Sequence, residues 1–513
     1  MDEHRKAVET IAARVAEFSA IKTPFRIYHG STNLTRETHF RRDAMIDTSS
    51  LSHVLHIDRE SMTALVEPNV PMDHLVDATL QVGLIPPVVM EFPGITAGGG
   101  FAGTSGESSS FRHGFFHHTV NWIELVMANG EIVRASNTQN QELFHAASAS
   151  FGTFGVTTLL ELQLIEAKKY VQVTYHPVSS VTDAVKKIEQ ATDDPSNDYL
   201  DGILFSHNFG VICTGRLTDV LPDDTTKVQS FHRATDPWFY LHAKAAAANG
   251  RVASKPITEA IPLVDYLFRY DRGCFWVGKY AFQYFMTPFN RITRWALDRF
   301  MHTRVMYHAF HQSGHTKRYI LQDVAVPYQT AEDLLGFVEE TFNLYPLWLC
   351  PLRQTGKYPG SAYGLTAETK RKPDAPEMLL NFGVWGPGPK GRDNFIAVNR
   401  RLEQKVHELK GQKWLYAQTY YTETEFWKIY DREEHDALRE KYHAAYLPNL
   451  YDKVKGDPYP DQRTHNWMGW VVALIWSIWP LSGLYGVLQT IVGREYLLPA
   501  RRNLSWDAKD KNE

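Results

Sequence analysis

Residues 92–114 read FPGITAGGGFAGTSGESSSFRHG, with six glycines from Gly94 to Gly106 and four serines. Glycine lets backbone N–H groups approach a charged ligand closely, and it tolerates positive φ in tight turns. The stretch therefore predicts a loop that cradles a pyrophosphate. A GxxxxGK-type phosphate loop needs a lysine, and the segment has none. Gly98, Gly100 and Gly103 do spell GxGxxG. A nicotinamide fingerprint, however, opens a helix, and the continuation GTSGESSS is turn-rich. A purely structural glycine-rich surface loop is the alternative reading.

The flanks favour a ligand. Upstream, RIYHGSTN at 26–33 reads as a strand entering a polar turn, followed by a strand at MIDTS (45–49). ALVEPNVPMDHLVDATLQVGL (64–84) reads as strand, proline turn and helix. Downstream, TVNWIELVMANGEIVRAS (119–136) gives two strands about Asn129-Gly130, a hairpin signal. A further glycine turn, FGTFGVTT, spans 151–158.

In this order the parts resemble the flavin-binding domain of the vanillyl-alcohol oxidase (PCMH-type) superfamily, in which glycine turns clamp the FAD pyrophosphate between two small α/β subdomains. The resemblance implies FAD contacts at Gly30, Ser31, Thr32 and Asn33, and at Thr96, Ala97, Gly98, Gly99, Gly100, Phe101, Ala102, Gly103, Thr104, Ser105, Gly106, Glu107 and Ser108. It adds Gly152, Gly155 and Val156. RIYHGSTN is closer to the noncovalent pattern than to a histidine-linked one, although His29 adjoins the turn. Further segments resemble the Δ24-sterol reductases (seladin-type): GESSSFRHGFF (106–116), IEAKKYVQVTYHPV (165–178), IPLVDYLFRYDRGCFW (261–276), LQDVAVPY (321–328), LYPLWLCPLR (344–353) and AQTYYTETEFW (417–427). The likeness runs from about residue 26 to 454.

The implied class is α+β: a PCMH-type FAD-binding domain (23–168) after an N-terminal amphipathic helix (1–22), then a substrate-binding cap (169–430). A segment at 431–460 packs back on the FAD domain, and 467–492 is a hydrophobic membrane anchor. In the cap, strand and helix units recur: KKYVQVTYHPV, SSVTDAVKKIEQAT, DYLDGILF and GVICTGRL, and later MLLNFGVWG, FIAVNRRLEQKVHELKG and WLYAQTYY as a last strand. They predict a broad, mostly antiparallel sheet with helices on one face. Between them, 235–317 is aromatic and basic, read either as core packing or as a greasy pocket.

A net charge of −4 and the absence of a basic stripe interleaved with aromatics exclude nucleic acid as a partner. Cys213, Cys274 and Cys350 lack metal or disulfide spacing and predict buried thiols in a reducing compartment. The histidines lack HExxH order, so no metal is expected. The N-terminus carries no apolar leader.

From 467 to 492 no residue is charged. As one helix these 26 residues would extend about 39 Å, enough for a hydrocarbon core of roughly 30 Å. Pro480, Gly483 and Gly486 interrupt the run, which makes a shallow hairpin or in-plane anchor the alternative. More lysine and arginine follow the run than precede it, which favours a cytosolic tail. A membrane association, at the endoplasmic reticulum with the body facing the cytosol, is expected, with room for homo-oligomers.

The resemblance implies reduction of a sterol or terpenoid side-chain double bond, with NADPH visiting transiently to reduce FAD. Such an alkene needs a hydride and a proton in a dry cavity. Tyr270, Asp323 and Tyr421 are the proton-donor candidates, since each can donate and lies in a matching segment. The alternatives are an FAD oxidase or dehydrogenase of another lipophilic substrate, and a membrane-bound flavoprotein scaffold without turnover.

Overall fold

Turn residues divide the first third of the chain into short strands. In the computed structural model, which describes residues 2–30, 42–221, 226–354, 376–456 and 478–494, these are β1 (Arg26–Tyr28), β2 (Met45–Asp47), β3 (Val54–Asp58), β4 (Thr63–Val66), β5 (Leu84–Ile85), β6 (Val120–Met127), β7 (Ile132–Ser136), β8 (Gly155–Gln163) and β9 (Ile165–Glu166). β1 and β2 pair in parallel, Arg26 opposite Met45. A separate five-stranded antiparallel sheet runs β3-β4-β8-β6-β7. Its β6–β7 hairpin turns at Asn129-Gly130, with Gly130 at φ +90°, where a side chain would be strained. The helix Met72–Leu80 buries Met72 and Leu75 beside this sheet.

The cap strands are β10 (Tyr170–Val178), β11 (Tyr199–Ser206), β12 (Phe209–Thr218), β13 (Ile257–Pro262), β14 (Tyr319–Val326), β15 (Leu347–Arg353), β16 (Met378–Pro387) and β17 (Gln412–Lys413). They form one antiparallel sheet in the order β13-β10-β12-β11-β15-β16-β14-β17. Side chains alternate between its faces. Leu200 and Leu204 join Leu334, Val338 and Leu402 from the helices Ala331–Phe342 and Arg392–Glu408. Tyr199 and Ile203 point the other way, into a core with Phe239 and Ala243 of the helix Phe239–Ala253 and with the aromatic segment after it. Both faces are thus covered, where helices on one face were expected, because the strands carry two apolar sets instead of one.

A second expectation fails at WLYAQTYY, which is no strand: β17 stops at Lys413. The Lys413 ammonium, buried against Glu403, also donates to the carbonyl of Gln418, which bends the chain back. The ring N–H of Trp414 and the hydroxyl of Tyr416 are drawn into hydrogen bonds with Asn381 and Asp323 instead of alternating across a sheet.

Residues after 430 return to the five-stranded sheet. Ala444 and Leu447 pack with Val126 and Val156, and the Tyr446 hydroxyl donates to the Ala128 carbonyl at 2.7 Å. The same cluster receives the N-terminal helix Asp2–Ala20 through Val8, Ile11, Val15 and Phe18. That helix is latched by charge as well. His4 Nδ1 lies 2.8 Å from Glu67 Oε1, and its Nε2 lies 3.3 Å from Glu124 Oε1. Hydrogen bonds to Glu124 and Glu67 prevail over burial and raise the imidazole to about 9. Burial pulls both carboxyls up, but their bonds to His4 hold them below the usual range.

The imidazole's contribution is complete below its unfolded value of about 6.5 and is lost as pH rises through the folded one. The carboxylates' contribution is lost at the acid end. His4→Ala is expected to cost about 1.5–3 kcal/mol, the worth of a hydrogen bond to a charged group. Thermal melts should show the deficit near pH 6 and its shrinkage at alkaline pH. An equal deficit at both ends would contradict the latch.

Candidate active site

The glycine run 97–103 is helical, not the open loop expected. Thr96 caps this short helix, Ala97–Gly103, by accepting the Gly99 N–H at 3.2 Å. Its first N–H groups are already used: Ala97 donates to the Val70 carbonyl at 2.9 Å and Gly98 to that of Pro68 at 2.8 Å. A Cβ at Gly98 would lie 2.6 Å from the Pro68 ring, and one at Gly100 2.6 Å from Met90 Cε and 2.8 Å from the Phe116 ring. These glycines serve close packing, not left-handed backbone. Between Gly94 and Gly106 the positive φ falls on Thr104, at +62°.

The turn at Thr104 exposes a run of donors. The N–H groups of Thr104, Ser105 and Gly106 have no acceptor among the described residues, and all three residues line a cavity. Successive N–H groups of this kind suit an anion. The FGTFG turn completes the cradle: Gly152 is at φ +73° and Gly155 at φ +151°. Phe151 and Ala149 donate to the carbonyls of Ala102 and Phe101 at 2.9 and 3.0 Å, which ties the two glycine elements together.

The cavity encloses about 350 Å³ between the glycine element and the eight-stranded sheet. Of the cofactor residues expected from sequence, Thr96, Gly98, Gly99, Ala102, Gly103, Thr104, Ser105, Gly106, Glu107, Gly152 and Gly155 line it. Ala97, Gly100, Phe101, Ser108 and Val156 are buried behind the cradle, and Gly30, at φ +74°, sits exposed at the first turn. Ser31, Thr32 and Asn33 lie outside the described residues. Ile27, His29, Thr48, Asn69 and Lys453 also line the cavity. Ile27 and His29 adjoin the predicted turn, but nothing in the sequence marks Lys453, which arrives from the C-terminal segment.

Away from the glycines the wall becomes aromatic: Phe92, Phe275, Tyr307, Trp348, Trp385 and Trp414 face the space. Among them sits Asp323, one of the proposed donors. Its carboxylate accepts from Asn381 Nδ2 at 2.9 Å, from Trp385 Nε1 at 3.0 Å and from the Tyr416 hydroxyl. Burial lifts Asp323 to about 6 against these three bonds, and burial with the adjacent carboxylate pushes the Tyr416 phenol well up. Tyr416 was not among the expected donors: it lies one residue before AQTYYTETEFW (417–427), the resembling segment that supplied Tyr421.

Tyr270 and Tyr421 do not line the cavity. The Tyr270 hydroxyl donates to Asp201 at 2.7 Å, while Tyr421 packs in the FAD-domain core. Asp201 also receives Arg269 at 2.9 Å and Trp348 Nε1 at 3.1 Å. Arg269 bridges onward to Glu91, 2.8 Å away, at the cavity wall. Burial raises Glu91 to about 7 despite Arg269, and burial with neighbouring Glu91 lifts Glu107 well above the ordinary carboxyl range.

A strained turn supports the aromatic wall. Gly273, Cys274 and Phe275 are all left-handed, at φ +84°, +48° and +59°, a costly conformation for the two residues bearing side chains. Asp271, bonded to His302 at 2.6 Å and to the Thr303 N–H at 3.1 Å, pins one side, and Gly273 donates to the Met301 carbonyl at 2.7 Å. The turn presses Phe275 against Tyr270, ring centres 3.8 Å apart, and toward Trp385 at 4.5 Å.

Two glycine substitutions separate packing from binding. Gly100→Ala drives a methyl into Met90 and Phe116 and is expected to destabilise the flavin-free protein by about 1–3 kcal/mol. At Gly103 an added Cβ meets nothing nearer than 3.7 Å, so Gly103→Val should leave the melt within about 0.5 kcal/mol. It should nonetheless lower the flavin bound per chain, read from absorbance. Full flavin content in Gly103→Val would contradict the cradle.

An FAD binding domain family model matches residues 6–136, which takes in most of the N-terminal helix and the glycine element at 94–106 but not the FGTFG turn. The chain is 29% identical over 418 residues to a Delta(24)-sterol reductase of Macaca fascicularis, covering 79% of this chain and 76% of that protein. It is 29% identical over 456 residues to one of Arabidopsis thaliana, with 82% and 78% covered. A Delta(24)-sterol reductase homolog of Caenorhabditis elegans is 28% identical over 428 residues, with 80% and 78% covered. With its FAD-binding domain, the chain is an FAD-dependent oxidoreductase related to the Delta(24)-sterol reductases.

Proposed function

We propose that this chain reduces a side-chain carbon–carbon double bond, of the Δ24 type, in a sterol or sterol-like terpenoid, with NADPH as the transient reductant and FAD held noncovalently. One observation carries the reading: the glycine cradle opens directly into an aromatic chamber that ends on a buried acid–phenol pair, Asp323 and Tyr416. The residues present fit FAD: the N–H groups at 104–106, without an acceptor among the described residues, would meet a pyrophosphate, and the apolar wall would accept a flat ring system. When bound, FAD takes up two electrons from the nicotinamide and supplies a hydride to one alkene carbon.

The chain's own residues do the rest. Thr104, Ser105 and Gly106 hold the anion, and Phe92, Phe275, Tyr307 and Trp385 exclude water and orient the side chain of the lipid. The second alkene carbon needs a proton. If Tyr416 gave up its proton beside an ionised Asp323, a phenolate would face a carboxylate in a buried site, at high cost. A protonated Asp323 removes that cost by donating to the Tyr416 oxygen as the phenol proton leaves toward carbon. The reaction therefore requires the acid form of Asp323, and its rate falls as pH rises through about 6.

The lipid substrate and the uncharged run 467–492 support action at a membrane, at the endoplasmic reticulum with the catalytic body in the cytosol. NADPH-dependent conversion of a Δ24-unsaturated sterol to its saturated counterpart, followed by mass spectrometry, tests the activity. Asp323→Asn and Tyr416→Phe should keep bound flavin and lose about a hundredfold or more in rate, with the fall above pH 6 absent from Asp323→Asn. Tyr270→Phe should stay near the parent rate. Parent-like rate and pH profile in Asp323→Asn would refute the assignment of the proton donor.

A further inference from the structure

The large apolar side chains that face solvent are concentrated in two places. The helix Leu481–Val492 turns Ser482, Gly483, Gly486 and Thr490 inward. A Cβ at Gly486 would lie 2.5 Å from the Ala309 carbonyl, so the glycine allows this helix to lie close along the helix Thr303–Gln312. Outward it presents Leu481, Leu484, Leu488, Ile491 and Val492, from its first residue to its last, with Leu488 53% and Val492 69% exposed. The second place is segment 286–295, where Met286 is 72%, Ile292 74% and Trp295 56% exposed.

The two places are joined. Trp479 Nε1 donates to the Tyr284 carbonyl at 2.6 Å, Tyr284 and Ser482 hydroxyls are 3.4 Å apart, and Gly483 packs on the Tyr284 and Phe285 rings, immediately before Met286. Helix Thr303–Gln312 has the tail helix on one side and sends Met306, Tyr307 and Phe310 into the cavity from the other. One helix therefore separates the exposed apolar surface from the lipophilic chamber.

Charge distinguishes the occupant. The chain as a whole is acidic, at −4, yet residues 277–318 hold seven lysines and arginines and a single carboxylate, Asp298. Asp298 is buried against Arg272, 2.7 Å away. Arg291, Arg299 and Arg318 are exposed beside the apolar residues. No helix among the described residues is long and apolar enough to cross a membrane, and twelve residues of helix reach only about 18 Å. An apolar face over the helix's full length, Trp479 at its edge and a basic rim are the features of an element lying in a lipid interface.

We propose that helix Leu481–Val492 and segment 286–295 form one surface that lies flat in the headgroup layer of an anionic bilayer, and that the lipid substrate passes from this surface beside helix Thr303–Gln312 into the cavity. The in-plane alternative to a spanning anchor follows from this geometry. The proposal rests on the lipid-reductase reading only for what enters, since vesicle binding is read without turnover.

The test is flotation of the flavin-loaded full chain with vesicles of phosphatidylcholine, with and without phosphatidylserine. Parent protein should float, more strongly with phosphatidylserine and less so at high salt. Leu484→Glu with Leu488→Glu, and separately Ile292→Glu with Trp295→Glu, should each lower partition about tenfold or more, with melting temperature and bound flavin unchanged. Arg291→Glu with Arg299→Glu should remove the phosphatidylserine dependence. Turnover on detergent-dispersed sterol, measured in parallel, is expected to stay at the parent level and reports separately on the reductase reading. Parent-like flotation of the Ile292/Trp295 variant would overturn the composite surface in favour of tail binding alone. Loss of a vesicle-free dimer in these variants, with flotation intact, would overturn it in favour of a second copy.

Discussion

The architecture depends on backbone approaching protein at distances that leave no room for a Cβ. Gly98 lies against Pro68, Gly100 against Met90 and Phe116, and Gly106 against Leu352 of the cap strand β15 and against Phe115. The glycine element is thereby wedged between the five-stranded sheet and the cap. Its register is fixed further by the Leu200 N–H on the Ser108 carbonyl at 2.7 Å. Because the element is pinned on both sides, the donors of Thr104, Ser105 and Gly106 are held facing the seam, and the seam becomes the cavity. Core packing and ligand binding are two faces of one segment.

The cavity's electrostatics follow from its dryness. Three carboxyl groups, Glu91, Glu107 and Asp323, line the cavity, and behind its wall Arg269 is the buried cation between Glu91 and Asp201. Burial in this low-dielectric setting favours the protonated forms: Glu107, with Glu91 beside it, is pushed well up, and burial alone lifts Asp323 to about 6. Carboxyl groups held near neutrality are what an acid-dependent step at an unactivated carbon requires. The strained turn at 273–275 belongs to the same arrangement, since it fixes Phe275 between Tyr270, the outer partner of Asp201, and Trp385, a donor to Asp323.

Much of this was legible in the sequence, for identifiable reasons. The Asn129-Gly130 hairpin, the N-terminal helix with Val8, Ile11, Val15 and Phe18, and the broad antiparallel sheet are written in local turn chemistry and periodicity. The glycine stretch borders the cavity, but its local physics differs from that expected. Its glycines answer to neighbours distant in sequence, Pro68 and Phe116, and this makes a helix where local propensity favours a loop. The same applies at 414–421, where an aromatic alternation resembling a strand is overridden by Asp323 and Asn381. Lys453 and Arg269 reach the cavity region only through tertiary contacts, so no spacing could reveal them. Tyr270 was selected by its motif, but the fold turns its hydroxyl to Asp201.

The account's central claim is that the cradle and the chamber serve one reduction, with electrons entering at the cofactor and leaving to a lipid alkene. Anaerobic mixing of the flavin-loaded protein with NADPH tests it most directly. The account predicts that the yellow absorbance bleaches and that a Δ24-unsaturated sterol, but not its saturated counterpart, restores it without oxygen. Bleaching by a lipophilic alcohol in the absence of NADPH, or no return of colour with the unsaturated sterol, would contradict it.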